Sequence, residues 1–242
     1  MNRKIEIIPA ILPKDFFELE EKANLVRSFV KRIQIDVCDG QFTSTPSWPY
    51  KKHDDNFEKI VSQEEGLPGW QDVGFEIDMM VSQPDQIIDE WISAGVDRIV
   101  LHVESGIKGK DAVNDKAVLL QNNPIISKTI KDIAGRVDIG LALNINTPIE
   151  VLNNYKDDIQ FVQCMGIDNV GYQGQSFNPA VIDKIAKIKS IYPNLMISVD
   201  GGVSLDNARD LVDAGADRLV VGSAIFDSDN FADAIHNFKT LL

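Results

Sequence analysis

AGVDRIVLH at residues 94–102 returns as AGADRLVVG at residues 214–222. In each copy a glycine suits the position just past a helix, and an Asp-Arg pair leads into a short run of β-branched and aliphatic residues. A helix that closes as a strand opens, twice in one chain, points to strands and helices in alternation. Six other apolar runs fit the same scheme: IEIIPAIL from Ile5, RIQIDVCDG from Arg32, VGFEIDMMV from Val73, DIGLALNI from Asp138, DIQFVQCMG from Asp158 and LMISVDGG from Leu195. With DRIVLHVES from Asp97 and DRLVVGSAIF from Asp217 the runs number eight. They show little polar alternation, as strands buried on both faces of a parallel sheet do. Between them the spacing predicts helices over 14–29, 56–63, 84–94, 148–155, 179–191, 205–214 and 229–238. Eight such units are best closed as a single-domain α/β fold, a (β/α)8 TIM barrel spanning 1–242, with a doubly wound open sheet as the competing arrangement. The segment Gly40–Gly74, which carries Trp48, Tyr50, His53 and Trp70, is too long for a plain connection and reads as a loop, a helix and a second loop.

Composition narrows the function. Lys and Arg number 24 against 37 Asp and Glu, a net charge of −13, and no basic cluster exists to neutralise a phosphate backbone, so nucleic acid is excluded as a partner. Apolar residues make up 44% of the chain and charged residues 25%, enough for a large core. No run spans a bilayer and the first residues do not form a signal peptide, so the expected setting is the cytoplasm, with no membrane partner. The two cysteines, Cys38 and Cys164, lack CxxC spacing and read as buried free thiols.

In a barrel of this kind chemistry sits at the C-terminal ends of the strands. Gln34 and Asp36 point to one side of the second run, Asp78 ends the third and Asp200 the seventh. Carboxylates in such apolar settings are costly unless something pairs them. After the last three runs come NVGYQGQSF, DGG and GSAIF, whose glycines let backbone N–H groups approach an anion, so together they read as a phosphate cradle.

These residues also carry a family resemblance. The chain resembles the ribulose-5-phosphate 3-epimerase family almost end to end. IIPAIL is similar to its P-S-I-L strand, IQIDVCDGQF to H-x-D-V-M-D-G-x-F, DMMV to H-L-M-V, LHVES to H-x-E, and GYQGQSF to G-F-G-G-Q-x-F. VDGGV and VGSAIF match its last two strands. The resemblance implies epimerisation of a phosphorylated ketose at C3, D-ribulose 5-phosphate to D-xylulose 5-phosphate. Asp36 and Asp200 would alternate as base and acid on opposite faces of an enediolate. Met80, Met165 and Cys38 would form the apolar wall, where plain core packing is the competing reading. Gly174, Gly201, Gly202, Gly222 and Ser223 would contact the phosphate.

The departures concern the metal. The family holds one with two histidines and the two aspartates, and here the histidine positions are Gln34 and Asp78. A set of Gln34, Asp36, Asp78 and Asp200 is all oxygen, which favours magnesium or manganese over zinc or iron. A site without metal, with Gln34 donating to the enediolate, stays open. An epimerase of another sugar phosphate, or a binding protein that has lost catalysis, are the alternatives, and a homo-oligomer is left open. His102 and Glu104 read as packing or supporting residues.

Overall fold

The computed structural model describes residues 4–107, 115–172 and 174–241. Eight parallel strands close into a barrel in chain order, which excludes the open sheet. They are β1 (Glu6–Ile11), β2 (Arg32–Cys38), β3 (Gly74–Met80), β4 (Arg98–His102), β5 (Asp138–Leu143), β6 (Phe161–Met165), β7 (Met196–Asp200) and β8 (Arg218–Val221). β1 closes on β8 with Glu6 opposite Arg218 and Pro9 opposite Val221. All eight lie within the apolar runs of the sequence.

The outer layer holds α1 (Phe16–Val26), α2 (Asp55–Val61), α3 (Ile88–Ser93), α4 (Lys116–Leu119), α5 (Pro124–Ile133), α6 (Ala180–Ile191), α7 (Leu205–Ala214), α8 (Ser223–Phe226) and α9 (Phe231–Leu241). Side chains fix where several begin. Asp15 accepts from the Glu18 N–H, and Asn123 accepts from Ile125 and Ile126 with Pro124 in the first turn. The repeated phrase ends its two helices as expected, since Gly95 and Gly215 adopt φ of +90° and +124°, which a side chain would resist.

Three expectations need correction. Residues 148–155 form a 3-10 turn, Ile149–Asn154, rather than an α-helix. The stretch 84–94 splits into a 3-10 turn, Pro84–Gln86, followed by α3. The sequence reading also left out α5, whose four isoleucines and Thr129 disguise it as a strand.

Gly40–Gly74 packs through its aromatic residues, Trp48 and Phe57 against Trp91 and Phe42 against His102. Trp48 packs on Phe16, Phe57 and Trp91 with ring centroids 5.8, 5.4 and 5.9 Å apart, and Trp91 Nε1 donates to Tyr50 Oη at 2.7 Å.

Inside the barrel the side chains form layers. At the N-terminal end, Arg98 meets Glu6 at 3.1 Å and Glu76 at 3.6 Å, Arg218 meets Glu6 at 3.2 Å, and Arg32 pairs with Asp97. Above this ionic floor the Arg218 guanidinium lies 4.5 Å from the centre of the Phe161 ring. Phe161 packs with Val100, Ala142 and Met165 as an apolar plug. The ring fits because its neighbour in register is Gly140, where an added Cβ would lie 2.3 Å from the ring. The plug separates the floor from the open end, where the polar residues singled out in the sequence gather.

Candidate active site

Alternation along the strands delivers the site. Gln34 and Asp36 share one side of β2, Asp78 and Met80 one side of β3, Gln163 and Met165 one side of β6, and Asp200 closes β7. Register sets Asp36 beside Asp78 and Met165 beside Asp200. One carboxylate oxygen each from Asp36, Asp78 and Asp200 lies within 4.8 Å of the others. Among the described residues this is the buried cluster with metal-ligating spacing; a second group, His53, Asp55 and Glu58, is exposed.

Three donors hold the carboxylates. Gln34 Nε2 donates to Asp36 Oδ1 at 2.7 Å and to Asp200 Oδ2 at 2.8 Å, bridging the pair. Gln163 Nε2 reaches Asp78 Oδ2 at 3.3 Å and Asp200 Oδ2 at 3.4 Å. His102 Nε2 lies 3.0 Å from Asp78 Oδ1, where an ionised carboxylate makes it the donor. Burial, reinforced by the Asp200 and Asp78 charges, raises the Asp36 pKa well above the usual carboxylate range. Burial and then the Asp78 charge push Asp200 up to about 7. Burial opposes a charged His102 ring, yet the Asp78 carboxylate together with Glu104 and Asp200 outweighs it, and the ring's pKa is raised. Two carboxyls whose protonated forms are favoured by burial, one of them with its pKa pushed up to about 7, are suited to giving and taking protons.

The cluster opens into a cavity of about 590 Å³, including its open mouth. Asp36, Asp78, Asp200, Met80 and Met165 line one end. Gly174, Gly201, Gly202, Gly222 and Ser223 line the other, where a shallower recess adds Ser204 and Ser228. Gly201 and Gly202 have φ of +97° and +69°, and a Cβ on Gly202 would stand 2.8 Å from Phe177 Cα, so the turn accepts no side chain there. Tyr172 leans over the mouth with its hydroxyl against that of Ser44 from the loop after β2.

Two expected residues stand back from the cavity. Gln34 is fully buried beneath the carboxylates, and Cys38 is buried and not among the residues that line the cavity. Its N–H is held by Ser47 Oγ at 2.9 Å, its thiol is hydrogen-bonded to Thr43, and burial pushes the thiol up to about 12. Sequence reasoning missed Gln163; its signal was a lone polar residue in FVQCM, two positions before Met165 and therefore on the same side.

The donor set fits a hard divalent cation. The three clustered side chains offer carboxylate oxygens and no imidazole or thiolate. Gln34 Oε1 is buried without a hydrogen-bond partner, while the Nε2 end of the same amide is the one turned to Asp36 and Asp200.

The chain is similar to known proteins along most of its length. Residues 6–226 match the model of the Ribulose-phosphate 3 epimerase family. The chain is 28% identical over 242 residues to ribulose-phosphate 3-epimerase from Bacillus subtilis, covering 97% of this chain and 98% of that protein. It is equally similar, at 28% over 241 residues, to the chloroplastic ribulose-5-phosphate-3-epimerase of Arabidopsis thaliana, covering 97% of this chain and 76% of that one. The crystal structure of 3-hexulose-6-phosphate synthase from Salmonella typhimurium superposes with a TM-score of 0.67 at 14% identity, covering 98% of each chain, a likeness of fold. No helix among the described residues is long and apolar enough to cross a membrane.

Proposed function

The chain belongs to the ribulose-phosphate 3 epimerase family and is an isomerase of that type, and from that premise we propose that it interconverts D-ribulose 5-phosphate and D-xylulose 5-phosphate at C3. The observation that carries this reading is the bridge from one Gln34 amide to both Asp36 and Asp200 at the floor of the cavity. Inversion at carbon requires a proton to leave one face and another to arrive on the opposite face, so two groups are needed. Asp36 and Asp200, from strands β2 and β7, take those roles. One carboxylate abstracts the C3 proton, the resulting planar enediolate is reprotonated from the other side by the second, and the two exchange roles in the reverse direction.

Met80 and Met165 form an apolar wall that limits water beside the enediolate, while Gly174, Gly201, Gly202, Gly222 and Ser223 hold the phosphate at the far end. Gln34, Asp36, Asp78 and Asp200 would hold magnesium or manganese. When bound, such a cation supplies Lewis-acid stabilisation to the charge that develops on the sugar oxygens. Gln34 and Gln163 keep the carboxylates at fixed separation, and His102 keeps Asp78 from turning away.

Proton–deuterium exchange at C3 of ribulose 5-phosphate in heavy water tests the reading. Asp36→Asn and Asp200→Asn are each expected to slow exchange by a hundredfold or more with the fold intact by circular dichroism. Near-parental exchange in either variant would overturn the two-carboxylate mechanism. Activity that rises with magnesium or manganese and falls with a chelator would support the cation, and indifference to both would overturn it.

A further inference from the structure

We propose that His102, braced by Glu104, is a positioning residue that aims Asp78 at the carboxylate cluster and thereby sets the affinity of the site for a hard divalent cation. This rests on the cation reading above.

Asp78 is fully buried, and a buried carboxylate needs a donor for each oxygen. Its Oδ1 is taken by His102 Nε2 at 3.0 Å from the neighbouring strand β4. That leaves Oδ2, beside Gln163 and Asp200, as the oxygen turned toward the cluster. Many metal sites place an imidazole on the ion and a carboxylate behind it. Here the order is reversed, with the carboxylate in front and the imidazole behind.

The ring is contacted on two further sides. Nδ1 lies 3.8 Å from Glu104 Oε2, an ion-pair contact without a hydrogen bond, and the Phe42 ring covers it with centroids 5.2 Å apart. Glu104 is itself buried and anchored, accepting from the Asn144 N–H at 3.1 Å and from the Thr147 hydroxyl. Imidazole and brace therefore have little freedom, and the direction of Asp78 follows from theirs.

The test is manganese binding to the full chain, read by electron paramagnetic resonance without substrate, in the parent and in two variants of the same chemistry but different reach. His102→Gln can extend an amide N–H toward Asp78, and His102→Asn is one carbon shorter. The expected result is a ten- to hundredfold weaker manganese affinity in His102→Asn, with His102→Gln restored to within a few-fold of the parent. Glu104→Gln, which keeps the size of the brace, is expected to weaken binding by a smaller factor. Inorganic phosphate, which would occupy the glycine end, should bind all four proteins alike, a control that a general loss of structure would not pass. Should His102→Asn fail to fold, Glu104→Gln against His102→Gln carries the comparison. If the parent binds manganese and the variants match it, the positioning role is overturned and the cation reading stands. If the parent itself binds none, both are overturned.

Discussion

Replacing Glu76 with Gln should make the stability of this barrel less dependent on pH. Glu76 is fully buried in the ionic floor with neither carboxylate oxygen in a hydrogen bond. Burial pushes its pKa from 4.5 up to about 7, with Arg98, Arg218 and Arg32 pulling only partly the other way. In the unfolded chain the group titrates near its ordinary value. Below that value it is protonated in both states and its contribution to stability is fully present. As pH rises the unfolded chain releases the proton first, so stability falls until the folded pKa has been passed. Each pH unit of that window is worth about 1.4 kcal/mol, about 3 kcal/mol across the whole of it. Glutamine resembles the protonated acid at every pH and removes this one titration. Asp36 and Asp200, which also titrate upward of their usual range, are present in both proteins and drop out of the difference. Urea unfolding at pH 5 and pH 8 should therefore show Glu76→Gln gaining about 2 to 3 kcal/mol on the parent between the two conditions. A difference that stays constant with pH would mean Glu76 ionises equally in both states, and the account of burial raising its pKa would fail.

Two more outcomes follow from the site. If Asp200 serves as the proposed base, the rate of C3 exchange measured without added metal should rise with pH through a limb near 7, because its pKa in the metal-free site is pushed up to about 7; an exchange profile from pH 5 to 9 with its limb near 4 under those conditions would count against a buried pair. Gly202→Ala should raise the KM for sugar phosphate at least tenfold, since the new Cβ would press on the Phe177 backbone, whereas Gly174→Ala meets open space at φ +72° and should cost about 1 kcal/mol of stability with a modest change in KM; steady-state kinetics and thermal melts of the two variants separate these effects.

The barrel was legible in the sequence because each strand is buried on both faces, so β1 to β8 stand out as apolar runs whichever way a residue points. The helices were legible where polar and apolar residues segregate and few residues are β-branched, as in α7; α5 segregates as well, with Ile126, Thr129, Ile130 and Ile133 on one buried face, but its β-branched residues masked the helical spacing. There the useful signal was the Asn123-Pro124 pair rather than the composition. Asp36, Asp78 and Asp200 announced themselves as carboxylates at strand ends. Gln163 and Glu76 did not, since a single polar residue within a strand shows its meaning only when neighbouring strands are known. Only the closed barrel brings Gln163 of β6 to Asp78 of β3, and Cys38, which shares a side with Asp36 in the sequence, turns out to be covered by the loop carrying Thr43 and Ser47.

Gly140 and Phe161 occupy one parcel of space between them. The ring stands where its neighbour's side chain would have been, so neither position has a size of its own. Enlarging 140 alone produces a collision, and shrinking 161 alone leaves a void beneath the carboxylate cluster. Any history or redesign that alters this part of the barrel has to move both together, bulk passing from one strand to the next in a single exchange, so that two letters of the sequence behave as one.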